Sequence, residues 1–342
     1  MSDTAAPDRR RRASSAARVR SSAPPRAGRR GRSRAAAALG LLLAASFGPA
    51  AADPALLGLE PETAAPAGDA LDRIRARGSI RLGHRRDAPP FSYEGPDGAP
   101  AGLAVRLCAA VARTVSAAAA EPWDGVPVAG VPGAPAPPPR LEWVPVTAAD
   151  RFEALEAGLT DLHCGPATQT LARRLHTDFS IPYFVDGAGL VFRKGGPERL
   201  GELTDEAVGV LSGTTTEVVL RRLLAERAPG AEAVLYPSHG AGLAALERGE
   251  IEAYMADRSI LLYQLGALRP AVQPVIAART WSREPYALAM RRGESRLRLA
   301  VDAALSRLYA SGEIYALIRE SLGRVEIGPD IEAIYEVVSI PE

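Results

Sequence analysis

The stretch AVGVLSGTTTEVVLRRLLAE, residues 207–226, contains a complete change from strand to helix. Its first five residues are apolar or small and predict a buried strand, and Gly213 makes the turn. Apolar residues at helical spacing then predict an amphipathic helix. Thr214 and Glu217 fit a capping box, in which the threonine accepts a hydrogen bond from a free N–H of the first helical turn. The stretch therefore predicts one strand–turn–helix unit of an α/β fold.

The start of this helix is also a candidate anion site. The N–H groups of Thr215 and Thr216 follow the cap and could bind a negatively charged group. Ordinary helix capping explains the same residues, so an anion site would also need a cation nearby. A nucleotide-binding P-loop is excluded at this stretch, because the Gly-Lys-Ser/Thr sequence that it requires does not occur.

The same alternation of strand and helix continues in both directions along the chain. Further strands are predicted in residues 79–83, 140–146, 161–165, 189–194, 231–237, 251–257 and 286–293. Further helices are predicted in residues 69–77, 101–115, 149–158, 240–250, 258–268 and 295–323. This order predicts two α/β units with largely parallel sheets, and a chain that returns to the first unit, which leaves a cleft between them.

The charge of the chain is unevenly distributed. Of the 342 residues, 47% are hydrophobic and 24% are charged, which is typical of a globular protein. Residues 1–34 hold eleven arginines and two aspartates, whereas the part from Asp53 onward has a net charge of about −8. An acidic main part argues against nucleic-acid binding.

Residues 1–52 are typical of an export signal. An arginine-rich start precedes an apolar run at residues 35–47, and small residues at 50–52 fit an A-x-A cleavage site. The run is shorter than the roughly 20 residues of a membrane-spanning helix. We expect cleavage near Ala52, a disordered lead-in at 53–70 and a periplasmic protein; an uncleaved anchor or a misassigned start codon are the alternatives, and Sec and Tat export both stay open.

Cys108 and Cys164 are the two cysteines of the chain. Export to an oxidising compartment favours a disulfide between them, and two buried free thiols are the alternative. No flanking cluster of histidine and cysteine predicts a zinc site.

The carboxyl ends of the predicted strands carry the candidate ligand-binding residues, because ligands of open α/β sheets collect there. These ends hold a cationic, hydroxyl-rich set with one acid: residues 84–86, 147–151, 166–168, 212–215, 238–239 and Asp257. No G-x-S-x-G or H-E-x-x-H sequence occurs, and the four histidines lack metal-ligand spacing. Binding without chemistry is therefore the leading interpretation.

Two charged residues in or near this set have both a functional and an ordinary explanation. Arg173 could clamp a carboxylate, since guanidinium binds carboxylates in pairs of hydrogen bonds, or it could be a solvated arginine. Asp257 could hold an ammonium group, or it could cap the next helix.

The motifs together resemble the type 3 family of extracellular solute-binding proteins, the ligand-capture subunits of polar amino acid ABC importers. The resemblance covers the chain from about Asp72 to Gly323. The stretches that carry it are PPFSY (89–93), AGLAVRLCAAVA (101–112), FEALEAGLTDL (152–162), TLARRLHTDFSIPY (170–183) and LSGTTTE (211–217). GHR, PVTAADR and AYMAD are most similar to the branch that binds glutamate and aspartate.

The resemblance implies a role for each site residue. Arg173 would clamp the α-carboxylate of the ligand, aided by Thr168 and Thr215. Asp257 and the carbonyl of Pro166 would receive the α-ammonium group.

The side chain of the ligand, a carboxylate in that branch, would face Arg85, Arg151 and His239. Ala148 and Ala88 depart from the family pattern, where a serine and an aromatic residue are usual, and so leave the side-chain specificity open.

Two details of the lobe that holds the first strand also follow from the resemblance. We expect Arg86 and Asp87 to face solvent or each other. Cys108 and Cys164 would lie in one lobe, which supports a disulfide that braces the floor of the pocket.

The implied fold is α/β and bilobal, the Venus-flytrap fold of periplasmic binding proteins, with two hinge strands between the lobes. The first lobe would comprise residues 79–188 and 286–323, with a Pro-rich insertion at 117–139. The second lobe would comprise residues 189–285, and residues 324–342 would form a tail.

The implied function is capture of a polar amino acid, glutamate or aspartate first, by hinge closure and its delivery to an ABC permease. The protein would be a monomer without a cofactor or metal and would not be an enzyme. The alternative is a periplasmic cyclohexadienyl or arogenate dehydratase on the same fold, which would need a general acid and an apolar ring pocket.

Overall fold

The computed structural model describes residues 68–120, 139–267, 275–277, 279–323 and 329–341. The predicted export signal, the cleavage near Ala52 and most of the predicted Pro-rich insertion lie outside these residues. Within them, no helix has the length and apolar character needed to cross a membrane.

The elements alternate between strand and helix as the sequence predicts. In chain order they are α1 (Ala70–Arg77), β1 (Ser79–His84), β2 (Asp87–Ala88), β3 (Ser92–Glu94), β4 (Pro100–Ala101), α2 (Leu103–Ala120), β5 (Arg140–Pro145), α3 (Arg151–Glu156), β6 (Leu162–Cys164), β7 (Thr177–Phe179), β8 (Phe184–Asp186), β9 (Ala188–Phe192), β10 (Ala207–Leu211), α4 (Thr215–Arg227), β11 (Glu232–Tyr236), α5 (His239–Arg248), β12 (Ala253–Asp257), α6 (Arg258–Ala267), β13 (Val275–Ile276), β14 (Glu284–Tyr286), β15 (Ala289–Arg291), α7 (Ser295–Ala310), α8 (Glu313–Leu322) and α9 (Pro329–Val338). Single turns of 3-10 helix lie at Arg173–Leu175 and Leu200–Glu202.

Each lobe is built on one five-stranded sheet. The sheet of the first lobe has the order β5-β1-β6-β15-β7, and that of the second lobe has the order β11-β10-β12-β9-β13. In each sheet the first three strands of this order pair in parallel. The fourth strand pairs antiparallel with the third, and the fifth pairs antiparallel with the fourth. The carboxyl ends of the parallel strands in each sheet therefore lie at one common edge, where connecting loops can form a binding site.

Two short strands connect the lobes. β8 and β14 pair antiparallel, with Asp186 opposite Glu284 and Phe184 opposite Tyr286. Only Gly187 separates β8 from β9, so the chain passes directly from the hinge into the second sheet. The bilobal α/β fold with two hinge strands is thus confirmed.

The apolar core of the first lobe extends into the C-terminal helix. The buried faces of α1, α2, α7 and α8 pack together in this core. Tyr335 of α9 is 2% exposed, stacks on Tyr309 at 4.6 Å and donates a hydrogen bond of 2.8 Å to the carbonyl of Tyr183. The sequence assigned no role to the residues after Gly323, whereas α9 anchors that part of the chain to the first lobe.

Candidate functional site

All eight residues predicted to bind a ligand line one cavity. They are Arg85, Arg151, Pro166, Thr168, Arg173, Thr215, His239 and Asp257. Most of them lie at carboxyl ends of parallel strands or in the first turns of the helices that follow, and both lobes contribute. Leu211, Thr214, Thr216 and Ile260 complete the lining.

Arg173 is held in place by its own loop and by an aromatic ring. It begins the 3-10 turn that follows β6, and its Nη1 donates a hydrogen bond of 2.8 Å to the carbonyl of Thr168. Its guanidinium lies over the ring of Phe152, 5.0 Å from the centroid. Burial lowers the pKa of Arg173, although the Glu284 and Asp257 charges act in the opposite direction. One face and one nitrogen of the guanidinium are therefore fixed, which orients it in the cavity.

Arg151 is a buried cation in this cavity. It is 2% exposed, and its guanidinium lies 4.3 Å from the centroid of the Phe152 ring. Its Nη1 and Nη2 are 3.4 Å from the carbonyl of Gly213, and its Nε is buried without a hydrogen-bond partner. Burial, followed by the neighbouring Arg173 and Arg85 charges, holds the pKa of Arg151 well below its usual range.

Neither Arg151 nor Arg173 has a carboxylate within 4.0 Å in the part of the chain that the structure describes. Buried charges in proteins are normally paired, because an unpaired one loses its hydration without compensation. The two arginines thus favour an anionic group in the cavity.

Arg85 differs from these two arginines, because it has an internal partner. Its Nε and Nη2 donate hydrogen bonds of 2.8 and 2.6 Å to Oδ1 of Asp87. Arg86 instead pairs with Glu94 at 3.0 Å, with both side chains exposed. The expectation that Arg86 and Asp87 face solvent or each other was wrong for Asp87, because its carboxylate pairs with the guanidinium of Arg85, which is only 3% exposed.

His239 enters the cavity as a neutral side chain. It is the first residue of α5, and its Nδ1 lies 3.1 Å from the hydroxyl of Tyr254. Burial lowers its pKa to about 4, although the Asp87 charge raises it and Arg85 lowers it further. At neutral pH His239 therefore adds a hydrogen-bonding ring to the lining but no charge.

Asp257, at the end of β12, belongs to a cluster of three carboxyl groups at the hinge. Its Oδ2 accepts a hydrogen bond of 2.5 Å from the hydroxyl of Tyr286, and its Oδ1 is buried without a partner. Burial, followed by the Asp186 and Glu284 charges, raises the pKa of Asp257 to about 8. Asp257 therefore holds a proton at neutral pH, and a cation beside Oδ1 would replace that proton.

The second and third members of the cluster come from the hinge strands. Burial raises the pKa of Asp186 to about 6. Glu284 is 2% exposed and accepts hydrogen bonds of 2.5 Å from Ser282 and 2.7 Å from Thr215. The sequence indicated one acid, Asp257, because nothing in the motifs shows that the two hinge strands bring Asp186 and Glu284 beside it.

The helix start that predicts the fold also contributes to the cavity. Thr214 is the N-cap of α4, and its Oγ1 accepts a hydrogen bond of 3.2 Å from the N–H of Glu217. The Glu217 carboxylate in turn accepts a hydrogen bond of 3.0 Å from the N–H of Gly213. The predicted capping box is therefore confirmed, except that its second bond comes from the residue before the N-cap. Gly213 has φ +74°, and a Cβ there would lie 3.1 Å from the carbonyl of Ala148. Glycine thus permits both the turn and the close approach of the first lobe.

The two cysteines form a disulfide, with their Cα atoms 5.9 Å apart. The alternative of two free thiols was therefore wrong. Cys108 lies in the middle of α2, and Cys164 ends β6, two residues before Pro166 of the cavity. The bond thus joins the main helix of the first lobe to the strand that carries part of the cavity lining.

The two positions that depart from the family pattern are both buried. Ala148 is 3% exposed and Ala88 is fully buried. Neither is among the residues that line the cavity in the part of the chain that the structure describes.

The sequence model of the bacterial extracellular solute-binding proteins, family 3, matches residues 138–324, which is more than half of the chain. Among curated proteins, the chain is similar to the "Glutamate/aspartate import solute-binding protein" of Escherichia coli. The two are 29% identical over 274 residues, which cover 80% of this chain and 83% of the relative.

Two solved structures have a similar fold. One is the solute receptor for L-cysteine of Neisseria gonorrhoeae, with a TM-score of 0.62, 23% identity and coverage of 76% of this chain and 98% of the other. The second is the ancestral amino acid-binding protein AncCDT-1, described as a precursor of cyclohexadienyl dehydratase. Its TM-score is 0.60 at 23% identity, with coverage of 75% of this chain and 100% of the other. At these identities the structures support the fold alone.

Proposed function

This chain belongs to family 3 of the bacterial extracellular solute-binding proteins, and we propose that it captures an acidic amino acid, glutamate or aspartate, in the cavity between its lobes. The ligand would then be delivered to the permease of an ABC importer. We further propose a periplasmic monomer, with lobes at residues 79–188 plus 286–323 and 189–285. The name of the E. coli relative supports the choice of ligand.

The observation that carries the proposal is the pair of cavity arginines without a carboxylate partner in the described residues. An amino acid with an acidic side chain supplies two carboxylates. Arg173 would bind the α-carboxylate, aided by the hydroxyl groups of Thr168 and Thr215, which lie 3.4 Å apart. Arg151 would bind the side-chain carboxylate. Each carboxylate would thereby compensate one buried cation.

The α-ammonium group of the ligand would bind Asp257. Oδ1 of Asp257 is buried and has no hydrogen-bond partner, and the Asp186 and Glu284 carboxyls are close enough to shift its pKa. An ammonium group at this oxygen would satisfy it and replace the proton that burial now retains. The carbonyl of Pro166 would be a second acceptor for this group.

Closure of the lobes would complete the site. Several side-chain contacts already cross between the lobes, among them Arg151 to the carbonyl of Gly213, the N–H of His239 to Asp87 Oδ2, Gln264 to the carbonyl of Asp87, and the hydroxyls of Tyr93 and Tyr263 at 3.5 Å. A closed cleft excludes water and strengthens charge-assisted hydrogen bonds inside it. Closure would also be the signal that a permease can recognise.

Calorimetry of the purified protein against the twenty amino acids tests the proposal. We expect tight binding of glutamate or aspartate, and tight binding of neutral or basic amino acids alone would refute it. We also expect Arg151→Gln to weaken glutamate at least tenfold more than glutamine, because the lost bond to a charged group is worth about 1.5–3 kcal/mol. The control is Arg140→Gln, at an arginine of the same lobe whose side chain is 78% exposed.

The dehydratase alternative is separated from capture by a turnover assay. Asp257, with its pKa raised to about 8, could supply the general acid that such an enzyme needs. The lining among the described residues, however, has three arginines and four threonines against the apolar Pro166, Leu211 and Ile260, a composition that does not favour an apolar ring. We expect no conversion of prephenate or arogenate above the uncatalysed rate. Product whose formation is lost in Asp257→Asn would establish the enzyme instead.

A further inference from the structure

Asp87 is a further acid beside the cavity, and the binding scheme above gives its carboxylate no role toward the ligand. It lies in the two-residue strand β2, opposite Tyr93 of β3. Its side chain is 20% exposed, while that of its partner Arg85 is 3% exposed. The ion pair is therefore largely shielded from water. Its charges interact more strongly there than they would at the protein surface.

The carboxylate of Asp87 contacts two residues that line the cavity, one from each lobe. Oδ1 accepts both hydrogen bonds from Arg85 of the first lobe. Oδ2 accepts a hydrogen bond of 3.2 Å from the N–H of His239, which begins α5 in the second lobe. Burial by itself would raise the pKa of Asp87, but the Arg85 charge and the hydrogen bonds from Arg85 and from the backbone N–H of His239 outweigh it and hold the pKa below its usual range. Asp87 is therefore ionised.

This contact changes what Arg85 offers to a ligand. A guanidinium can hold a carboxylate by the edge formed by Nε and one Nη, and in Arg85 this edge is bound to Asp87. A ligand carboxylate that approaches Arg85 also meets the negative charge of Asp87. An uncharged amide meets no such repulsion, and its oxygen can still accept a hydrogen bond. Arg151, which has no carboxylate partner in the described part, does not share this restriction.

We propose that Asp87 is a specificity-determining residue, an internal carboxylate that neutralises Arg85 and so lets the cavity accept amide side chains beside acidic ones. The inference rests on the proposed function, because it concerns the side chain of an amino acid ligand. Arg151 would then distinguish an acidic from an amide side chain, and Arg85 would contribute little to that distinction. The wild-type protein would then be less selective for glutamate over glutamine than its three cavity arginines suggest.

The test is the ratio of the glutamine and glutamate dissociation constants, measured by calorimetry for the wild type and for Asp87→Asn. The asparagine has the same shape but no charge, so Arg85 becomes available to the ligand carboxylate. We expect the preference for glutamate to rise about tenfold or more, as for a gained charge-assisted hydrogen bond. A weaker bond to the N–H of His239 would affect both ligands equally and cancel in the ratio.

Glu94→Gln is the matched control. It also converts an acid paired with an arginine of this region to its amide, but the pair is exposed and Glu94 does not line the cavity. We expect its ratio to stay within about twofold of the wild type. Asp87→Ser removes the charge with a smaller side chain and gives a second measurement if the asparagine variant folds poorly, which a melting curve reports.

A ratio that is unchanged within about twofold in both Asp87 variants, or that falls, overturns the role of Asp87 while leaving amino acid capture intact. A wild-type protein that binds no amino acid overturns the proposed function itself. The two failures are thus distinguished by the wild-type titration.

Discussion

The protonated Asp257 predicts that ligand binding releases a proton. Burial and the Asp186 and Glu284 charges raise its pKa to about 8, so at pH 7 roughly nine in ten molecules carry the proton. The α-ammonium group of an amino acid would bind the ionised form only. Each binding event at pH 7 should therefore release about 0.9 proton.

The affinity should accordingly increase with pH. The ionised fraction of a group with this pKa grows about twentyfold between pH 6 and pH 7.5, and the association constant should rise by a similar factor. Asp186, with its pKa raised to about 6, acts in the same direction, because its charge also attracts an ammonium group. His239 does not contribute, since its pKa is lowered to about 4 and it stays neutral throughout this range.

Calorimetry in two buffers of different ionisation enthalpy measures the released proton directly. At pH 7 the observed enthalpies should differ by about 0.9 times the difference between the buffers. An affinity that is constant within twofold from pH 6 to pH 7.5, together with no dependence on the buffer, would refute the placement of the ammonium group at Asp257.

Three further predictions concern Asp257, Arg173 and the disulfide. The pKa of Asp257 is higher in the folded than in the unfolded protein, so this residue lowers the free energy of unfolding progressively as the pH rises from about 4 to 8. Asp257→Asn should therefore raise the melting temperature of the ligand-free protein more at pH 8 than at pH 4.5. Equal shifts in melting curves at both pH values would contradict this. Arg173→Gln should weaken ligand binding at least a hundredfold, because a pair of charge-assisted hydrogen bonds to the carboxylate is lost. The control is Arg174→Gln at the exposed neighbour, whose dissociation constant should stay within about twofold of the wild type. Similar losses of affinity in both variants, measured by calorimetry, would contradict the role of Arg173. The disulfide closes a loop with a sequence separation of 56 residues, so Cys108→Ala with Cys164→Ala should lower the free energy of unfolding by about 4 kcal/mol in urea titrations. A loss below about 1 kcal/mol, or a wild type whose stability does not change under reducing conditions, would argue against this contribution.

The local sequence was sufficient for the elements because their signals involve neighbouring residues. The Thr214 cap, the left-handed Gly78 after α1 and the apolar spacing of α2 each concern one turn of helix. No separate range was predicted for the short strands β2, β3, β4, β7, β8 and β13, since two or three residues carry no periodicity and pair only through the tertiary fold.

The sequence by itself determined the α/β class and a broad set of polar residues at strand ends, because both can be recognised along a single chain. The resemblance to a known family then singled out the eight residues that line the cavity. Only the tertiary structure decided the charge state of the site. The hinge places Asp186 and Glu284 beside Asp257, and the buried guanidinium of Arg85 pairs with Asp87. Asp186 and Glu284 are distant from Asp257 in the sequence. Asp87 is close to Arg85, but the sequence alone left open whether its side chain faces Arg85 or solvent. Burial and through-space charge, which set each protonation state, arise only when the lobes are folded and in contact.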